Sequence, residues 1–174
     1  MKVLHTHELL EPVRVKLRAL LDASYDGDFG DDDWLHALGG RHVLAFEGDQ
    51  VVAHASVVER VLLHQGRQWR TGYVEALAVA PARRRAGLGS AVMERVEALI
   101  EAEFELGALS TSDLALPLYE RRGWQRWRGA TWVQTPRGPQ RTPDDDDGVF
   151  VWPVTAPIDV HGAITCDFRS GDVW

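Results

Sequence analysis

The sequence predicts an α/β domain in which a mixed, mostly antiparallel sheet is flanked by helices. Runs rich in β-branched residues follow one another between residues 42 and 81. Apolar residues recur at helical spacing both before and after those runs. The length of 174 residues suits one domain with a sizeable core, so we expect a single domain over residues 1–174.

A helix and then several strands are expected in the first half of the chain. The apolar residues of Glu11–Tyr25 share one helical face, and an acidic loop or helix start follows at Gly27–Trp34. The segment His42–Leu63 is rich in β-branched residues and is interrupted at Gly48-Asp49, which is typical of a hairpin. A second interruption at residues 65–67 leads into another long strand. Three antiparallel strands are therefore expected before the first glycine-rich loop.

Helices and short strands are expected to alternate in the second half. Helical spacing resumes after the glycines within residues 83–104, and Leu106–Thr111 is typical of a short buried strand. A further helix is expected over residues 112–124, with Ser112 as its N-cap and Gly123 as its C-terminal end.

Proline and a run of aspartates mark the last third of the chain. Pro117 is expected to kink the helix that contains it or to shorten its first turn. Two strands are expected at residues 125–135 and 148–154. The four consecutive carboxylates of Asp144–Asp147 then fall in the loop between these strands.

Composition narrows the classes of partner. A formal net charge of −7 disfavours nucleic acid and anionic membranes. The N-terminal segment lacks a continuous apolar stretch, and we expect a cytoplasmic protein without a membrane partner. The single cysteine, Cys166, excludes an intramolecular disulfide and is expected to be a small buried residue. The seven histidines are scattered, so no metal site is expected, and His54 is expected to be a satisfied core residue.

A glycine-rich segment, Arg84–Gly89, lies between a predicted strand and a predicted helix. Glycines at 87 and 89 let the backbone approach a ligand closely, and the first N–H groups of the following helix suit a pyrophosphate. A tight turn with a solvated basic edge has the same appearance. The spacing matches neither an NTPase phosphate loop nor the dinucleotide-binding pattern.

Two motifs resemble those of a known family. RRAGLG at Arg84–Gly89 resembles the [Q/R]-x-x-G-x-[G/A] loop of the GNAT acetyltransferases, and ALPLYERRGW at Ala115–Trp124 is similar to their A-x-x-L-Y-x-x-x-G-F segment. Further segments, such as GDFGDDDW, RTPDDDDGVFV and the terminal GDVW, resemble the aminoglycoside 2′-N-acetyltransferases along nearly the whole chain. One departure is Ala76, which stands where the narrower family often has glycine.

The resemblance implies a GNAT fold whose splayed central strands hold the co-substrate acetyl-CoA. The resemblance also implies a homodimer that acetylates the 2′-amino group of aminoglycosides and so confers antibiotic resistance. The sequence shows no convincing Ser-His-Asp or Cys-His arrangement, so we expect direct attack of the amine in a ternary complex. Contacts to acetyl-CoA are implied at Leu77, Ala78, Val79, Arg84, Arg85, Ala86, Gly87, Leu88, Gly89, Leu114 and Tyr119. Contacts to substrate are implied at Asp28, Glu75, Ala76, Ser110, Asp144, Asp145, Asp172 and Trp174.

Two side chains are candidates for proton transfer. On an extended strand Glu75 shares a face with Leu77 and Val79, which is an unusual place for a charge that nothing uses. A carboxylate there can accept the proton of the amine, directly or through water, although a glutamate paired with an arginine would look alike. By resemblance Tyr119 protonates the leaving thiolate; the alternative is a core tyrosine.

The acidic residues suit a polycationic substrate. By resemblance Asp28 and Asp145 make the strongest contacts, and Trp174 offers an indole face and its α-carboxylate. Asp146 and Asp147 are expected to be solvated charges. Two alternatives stay open: acetylation of another amine, such as a polyamine, a cell-wall amino sugar or a protein amine, and a module that binds cationic drugs or acetyl-CoA without turnover.

Overall fold

Helices and strands alternate along the chain in a computed structural model that describes residues 1–112 and 115–174. The α-helices of the described residues are α1 (Glu11–Ser24), α2 (Asp31–Ala37), α3 (Leu88–Glu103) and α4 (Leu116–Arg122). The strands are β1 (Lys2–His5), β2 (Arg41–Glu47), β3 (Gln50–His64), β4 (Arg67–Val79), β5 (Leu106–Ser110), β6 (Gln125–Arg126), β7 (Thr131–Thr135), β8 (Gly138–Arg141), β9 (Val149–Pro153) and β10 (Ile164–Asp167). None of the described helices is long and apolar enough to cross a membrane.

The chain is divided into two compact units. The first contains residues 1–58 and 74–99, and the second contains residues 59–73 and 100–174. The first unit has α1 and α2, and in it β1 pairs antiparallel with β2, which pairs antiparallel with β3. Because β3, β4 and α3 each cross a unit boundary, each contributes residues to both units.

The core of the first unit confirms the predicted helical face of α1. Leu17 and Leu21 are fully buried and Leu20 is nearly so, at positions that recur every three to four residues. They belong to one apolar cluster with Leu44 of β2 and Val51 of β3. Burial of each such side chain stabilises the fold by about 2 kcal/mol, so this cluster anchors α1 to the strands.

The sheet of the second unit has the strand order β6-β9-β5-β4-β3-β10-β7-β8. The pairs β4–β5 and β7–β10 are parallel, whereas β3–β10, β5–β9, β6–β9 and β7–β8 are antiparallel. Strand β4 pairs with β5 over Thr71–Tyr73, and the residues of β4 that follow belong to the first unit. The predicted α/β class with a mixed, mostly antiparallel sheet is confirmed.

Three strand predictions were incomplete. Four strands, not three, precede the glycine-rich loop, because the four residues of β1 are too few to show alternation and pair only with the later β2. The strands β8 and β10 were also missed, because each has only four residues. The strand expected over residues 125–135 is divided into β6 and β7. Gly129 explains the break, since its backbone lies so close to Gly162 that a side chain there would collide with the Gly162 carbonyl.

Helix α4 begins later than predicted. Its N-cap is Ala115 rather than Ser112, and Pro117 lies in the first turn. A helix has no intrahelical partner for the N–H groups of its first turn, so the proline costs no hydrogen bond and causes no interior kink. Gly123 ends the helix in a left-handed conformation at φ 91°, as predicted. Cys166 is buried, as predicted.

Candidate active site

Strand β4 contains a left-handed residue, Ala76, immediately after the predicted base Glu75. Ala76 has φ 51°, which is uncommon for a residue with a Cβ and costs about 1 kcal/mol relative to glycine. The carbonyl oxygen of Ala76 accepts a hydrogen bond from Nδ1 of His54 at 2.9 Å, and that of Glu75 accepts one from the Ser56 hydroxyl at 3.5 Å. The left-handed residue therefore marks a local bulge in β4.

Glu75 lies immediately before this bulge and is half-buried. Burial of the phenol, and then the charges of Glu75 and Asp33, raise the pKa of Tyr25 to about 12. The Tyr25 hydroxyl donates to the Leu77 carbonyl oxygen at 3.0 Å, so the phenol lies beside the bulge. Tyr25 was not predictable as a site residue, because a tyrosine at the end of a helix carries no signal in the sequence that distinguishes it from an ordinary surface residue.

The three consecutive arginines before the glycine loop differ in their partners. Arg83 forms an ion pair with Glu47 at 2.7 Å, and Arg84 donates to the Ser24 carbonyl at 3.0 Å. Arg85 adopts a left-handed conformation with φ 64° and is exposed. All three arginines are exposed, so the ion pair of Arg83 and the bond of Arg84 are also compatible with a solvated basic edge.

Different features of the structure explain why glycine stands at position 87 and at position 89 of the loop. Gly87 has φ 80° and its carbonyl accepts from the N–H of Ala91, so it is the turn residue from which α3 starts. Gly89 lies in the first turn of α3, where an added Cβ would meet only Val79 at 3.6 Å. Glycine in a helix costs about 1 kcal/mol relative to alanine. Since the fold does not require glycine at 89, close approach of a ligand gives the better reason.

The loop of the second unit that contains Asp144–Asp147, called the acidic loop below, brings several predicted substrate residues together. Asp145 ends a 3₁₀ turn, Pro143–Asp145, and is half-buried. Burial first, and then the charges of Asp172 and Asp144, raise the pKa of the Asp145 carboxyl. Ser110 is paired with Val149 in the strand that follows this loop. The site therefore holds carboxylates near one another, at an electrostatic cost that a bound cation would relieve.

Asp146 corrects the prediction of a solvated charge. Its carboxylate accepts from the Thr131 backbone N–H at 2.9 Å and from the Thr131 hydroxyl at 2.7 Å, and it pairs with Arg141 at 2.6 Å. These bonds, led by that to Arg141, hold the pKa of Asp146 well below its usual range. Asp146 is thus an anchor of the loop. Asp147 is exposed, and its carboxylate lies 3.8 Å from Arg128 and 3.9 Å from Arg126.

The placement of Trp174 corrects another expectation. Its exposed fraction is 3%, and its indole N–H donates to the Thr142 hydroxyl at 2.9 Å. The indole therefore offers no open face in this structure. The carbonyl oxygen of Trp174 accepts from Arg169 at 2.8 Å, and its backbone N–H donates to Asp172 at 3.2 Å. These bonds tie Asp172 and Trp174 to the acidic loop.

Tyr119 and Asp28 are placed by other contacts. Tyr119 is buried, with its ring centroid 6.1 Å from that of Trp124 and 5.9 Å from that of Phe150, as expected of a core tyrosine. Asp28 is exposed, and its N–H donates to the Tyr25 carbonyl at 2.9 Å. Leu114 lies outside the described residues.

Comparisons with known proteins give these features a context. The model of the family described as "Acetyltransferase (GNAT) family" matches residues 7–124. An aminoglycoside 2′-N-acetyltransferase of Mycolicibacterium fortuitum is 45% identical over 177 residues, which cover 99% of this chain and 91% of that protein.

Solved structures share the fold at low sequence identity. Escherichia coli ElaA superposes with a TM-score of 0.61 and 18% identity, over 86% of this chain and 96% of its own. A GNAT family acetyltransferase from Brucella melitensis in complex with acetyl-CoA superposes with a TM-score of 0.62 and 16% identity, over 97% of this chain and 96% of its own. The family match covers well over half of the sequence and agrees with both quoted motifs, so this chain belongs to the GNAT family of acetyltransferases.

Proposed function

We propose that this chain transfers the acetyl group of acetyl-CoA to the 2′-amino group of aminoglycosides and thereby confers resistance to them. The observation that carries the proposal is the acidic loop, in which burial and the charge of nearby Asp172 raise the pKa of Asp145. The chain that contains this loop is 45% identical to an aminoglycoside 2′-N-acetyltransferase. A polycation of amino sugars is the kind of ligand that such mutually repelling carboxylates favour.

The co-substrate is supported by the loop before α3. Gly87 and Arg85 have positive φ angles, and such a loop directs successive N–H groups toward one side, where they bind phosphate oxygens. The open position at Gly89 fits the same interpretation. When bound, acetyl-CoA supplies the activated thioester. We assign its pyrophosphate to Arg84–Gly89 and its pantetheine arm to the backbone of Leu77–Val79.

The chemistry that we propose needs two proton transfers. Glu75 takes the proton that the amine loses as its nitrogen bonds to the acetyl carbon, and the adjoining backbone of β4 polarises the carbonyl. Tyr119 donates a proton to the sulfur as the carbon–sulfur bond breaks. Substrate ammonium groups are held by Asp28, Asp144, Asp145 and Asp172, with Ser110 as a hydrogen-bonding partner.

The test compares two substrates that differ at one position. Kanamycin B carries an amine at the 2′ position and kanamycin A carries a hydroxyl, so thiol release from acetyl-CoA is expected with B and not with A. Turnover with both would place the acetyl group on another amine. Turnover with neither would overturn the aminoglycoside assignment and direct the search to polyamines and cell-wall amino sugars. A protein that binds both ligands without any turnover would be a binding module.

Assembly and partners are part of the proposal. We infer a homodimer of single-domain subunits that binds no nucleic acid. Light scattering on the purified chain is expected to give twice the monomer mass of 19.4 kDa, and a monomer mass would refute the dimer.

A further inference from the structure

A row of hydrogen bonds ends at the bulge of β4 and is not explained by the proposed chemistry. The hydroxyl of Thr6 lies 2.8 Å from Nε2 of His42. Nδ1 of His42 lies 2.9 Å from Nε2 of His54, and Nδ1 of His54 lies 2.9 Å from the carbonyl oxygen of Ala76. Both histidines have no exposed surface, so water does not compete for these bonds.

The last acceptor sets the direction of every bond in the row. A carbonyl oxygen can only accept, so Nδ1 of His54 carries its proton and its Nε2 accepts from Nδ1–H of His42. Nε2 of His42 then accepts from the Thr6 hydroxyl, which lies closer to it than to the Gly40 carbonyl oxygen at 3.3 Å and which itself accepts from the N–H of Gly39 at 2.9 Å. The donors point one way, from Gly39 to Ala76, and each imidazole has one defined tautomer.

Both imidazoles are neutral in this arrangement. Burial, and then the neighbouring charge of His42, lowers the pKa of His54 to about 3. Burial, and then the charge of Arg14, lowers the pKa of His42 to about 4. A second proton on either ring would set two N–H groups against each other at 2.9 Å, which the geometry opposes as well.

The row ends where the backbone is least regular. A bulge residue is displaced from the regular ladder of strand hydrogen bonds, so its carbonyl needs another partner. His54 supplies that partner from β3, next to the left-handed φ of Ala76. Without the imidazole donor, the half-buried carbonyl would lose its bond. Relaxation of the bulge toward regular strand would then turn Glu75 relative to Leu77–Val79.

We propose that His54, held in its tautomer by His42, is a positioning residue that fixes the β4 bulge so that Glu75 and the following backbone are correctly placed for acetyl transfer. The proposal rests on the proposed function for its kinetic consequence. Its structural part, the directed row of bonds, holds for any acceptor amine. His54 acts through the backbone and does not contact the reacting atoms.

The kinetic test compares His54 with a buried histidine elsewhere. His64 is 2% exposed, and its Nδ1 also lies 2.9 Å from a backbone carbonyl, that of Ala163 in the second unit. His54→Leu removes the donor while filling the space, and His54→Asn keeps a donor near the Nδ1 position. His64→Leu removes the equivalent bond to Ala163 instead of the bond to Ala76. All three are compared at equal folded fraction, with kcat and both KM values measured.

His54→Leu is expected to lower kcat by about 10- to 100-fold, with the aminoglycoside KM changed less than threefold. This fall is smaller than the loss caused by removing an oxyanion-hole donor, because the variant only displaces such donors. His54→Asn is expected to recover most of kcat, and His64→Leu to retain it. An equal fall in kcat for His54→Leu and His64→Leu, or an unchanged kcat in His54→Leu, would overturn the positioning role.

A second measurement needs no variant and no turnover. Long-range ¹H–¹⁵N NMR spectra of the unaltered protein report which ring nitrogen carries the proton. The expected result is that His42 and His54 are each protonated at Nδ1 only and are still neutral at pH 6. A His54 ring protonated at Nε2, or charged at pH 6, would overturn the row of bonds. If instead no aminoglycoside is acetylated but these tautomers are found, the substrate assignment fails and the row of bonds stands.

Discussion

The carboxylates of Asp145 and Asp172 make the proposed substrate site directly testable. The charge of Asp172 raises the pKa of Asp145, so the two are electrostatically linked, and Asp172 is also bonded to the backbone of Trp174. Replacing Asp172 by asparagine keeps an acceptor for that bond and removes one negative charge. The pKa of Asp145 is then expected to fall, while the affinity for a polycation is expected to decrease.

The size of the effect follows from the exposure of the two side chains. Asp172 is exposed and Asp145 is half-buried, so solvent screens the interaction of Asp172 with an ammonium group. An exposed ion pair contributes about 0.2–1 kcal/mol, whereas a hydrogen bond to a buried charge contributes about 1.5–3 kcal/mol. We expect about a threefold rise in the aminoglycoside KM for Asp172→Asn and about tenfold for Asp145→Asn.

Steady-state kinetics of thiol release, at low and at high salt, measures these effects. The rise in KM is expected to shrink as salt increases, and the KM for acetyl-CoA is expected to stay within twofold. Asp147→Asn is the matched control, because it removes the same charge from an exposed residue of the same loop. A rise in KM as large for Asp147→Asn as for Asp145→Asn would refute the reasoning, since general surface charge would then account for the affinity.

Three further results are expected. Asp146→Ala should lower the free energy of unfolding by about 2 kcal/mol in urea titrations, because it leaves the buried Thr131 N–H unsatisfied; an unchanged midpoint would contradict its role as an anchor. Gly89→Ala should raise the acetyl-CoA KM while raising Tm slightly, since alanine favours the helix, whereas Gly87→Ala should lower stability by about 1 kcal/mol because of its φ of 80°; a normal KM in Gly89→Ala would exclude close approach there. Burial lowers the pKa of His54 from 6.5 to about 3, so on acidification His54 is protonated in the unfolded chain before it is protonated in the folded one. The contribution of His54 to the free energy of unfolding is therefore fully present above pH 6.5 and should decrease toward pH 4, and the decrease should be shallower in His54→Leu.

Motifs that depend on neighbouring residues were predictable. The loop at Arg84–Gly89, the helix end at Gly123 and the hairpin at Gly48-Asp49 each rest on the backbone freedom of glycine, which is a local property. The apolar face of α1 was predictable because helical periodicity requires only the order of residues.

Elements whose partners are distant in sequence were not predictable in the same way. The four-residue strands β1 and β10 form because they pair with β2 and with β3 and β7. The start of α4 at Leu116 was also missed, since a serine four residues earlier looks like an equally good cap.

By itself the sequence determined the fold class, the order of the two family motifs and the stretch of acidic residues that suits a cation. Only the tertiary structure decided the roles of adjacent carboxylates: Asp146 is bound by Thr131 and Arg141, while Asp145 lies near Asp172. It likewise decided that His54 binds the carbonyl of Ala76 at a left-handed position. The physical reason is that a side chain's ionisation and hydrogen bonding depend on which distant elements the fold brings against it, and residue order alone does not specify these.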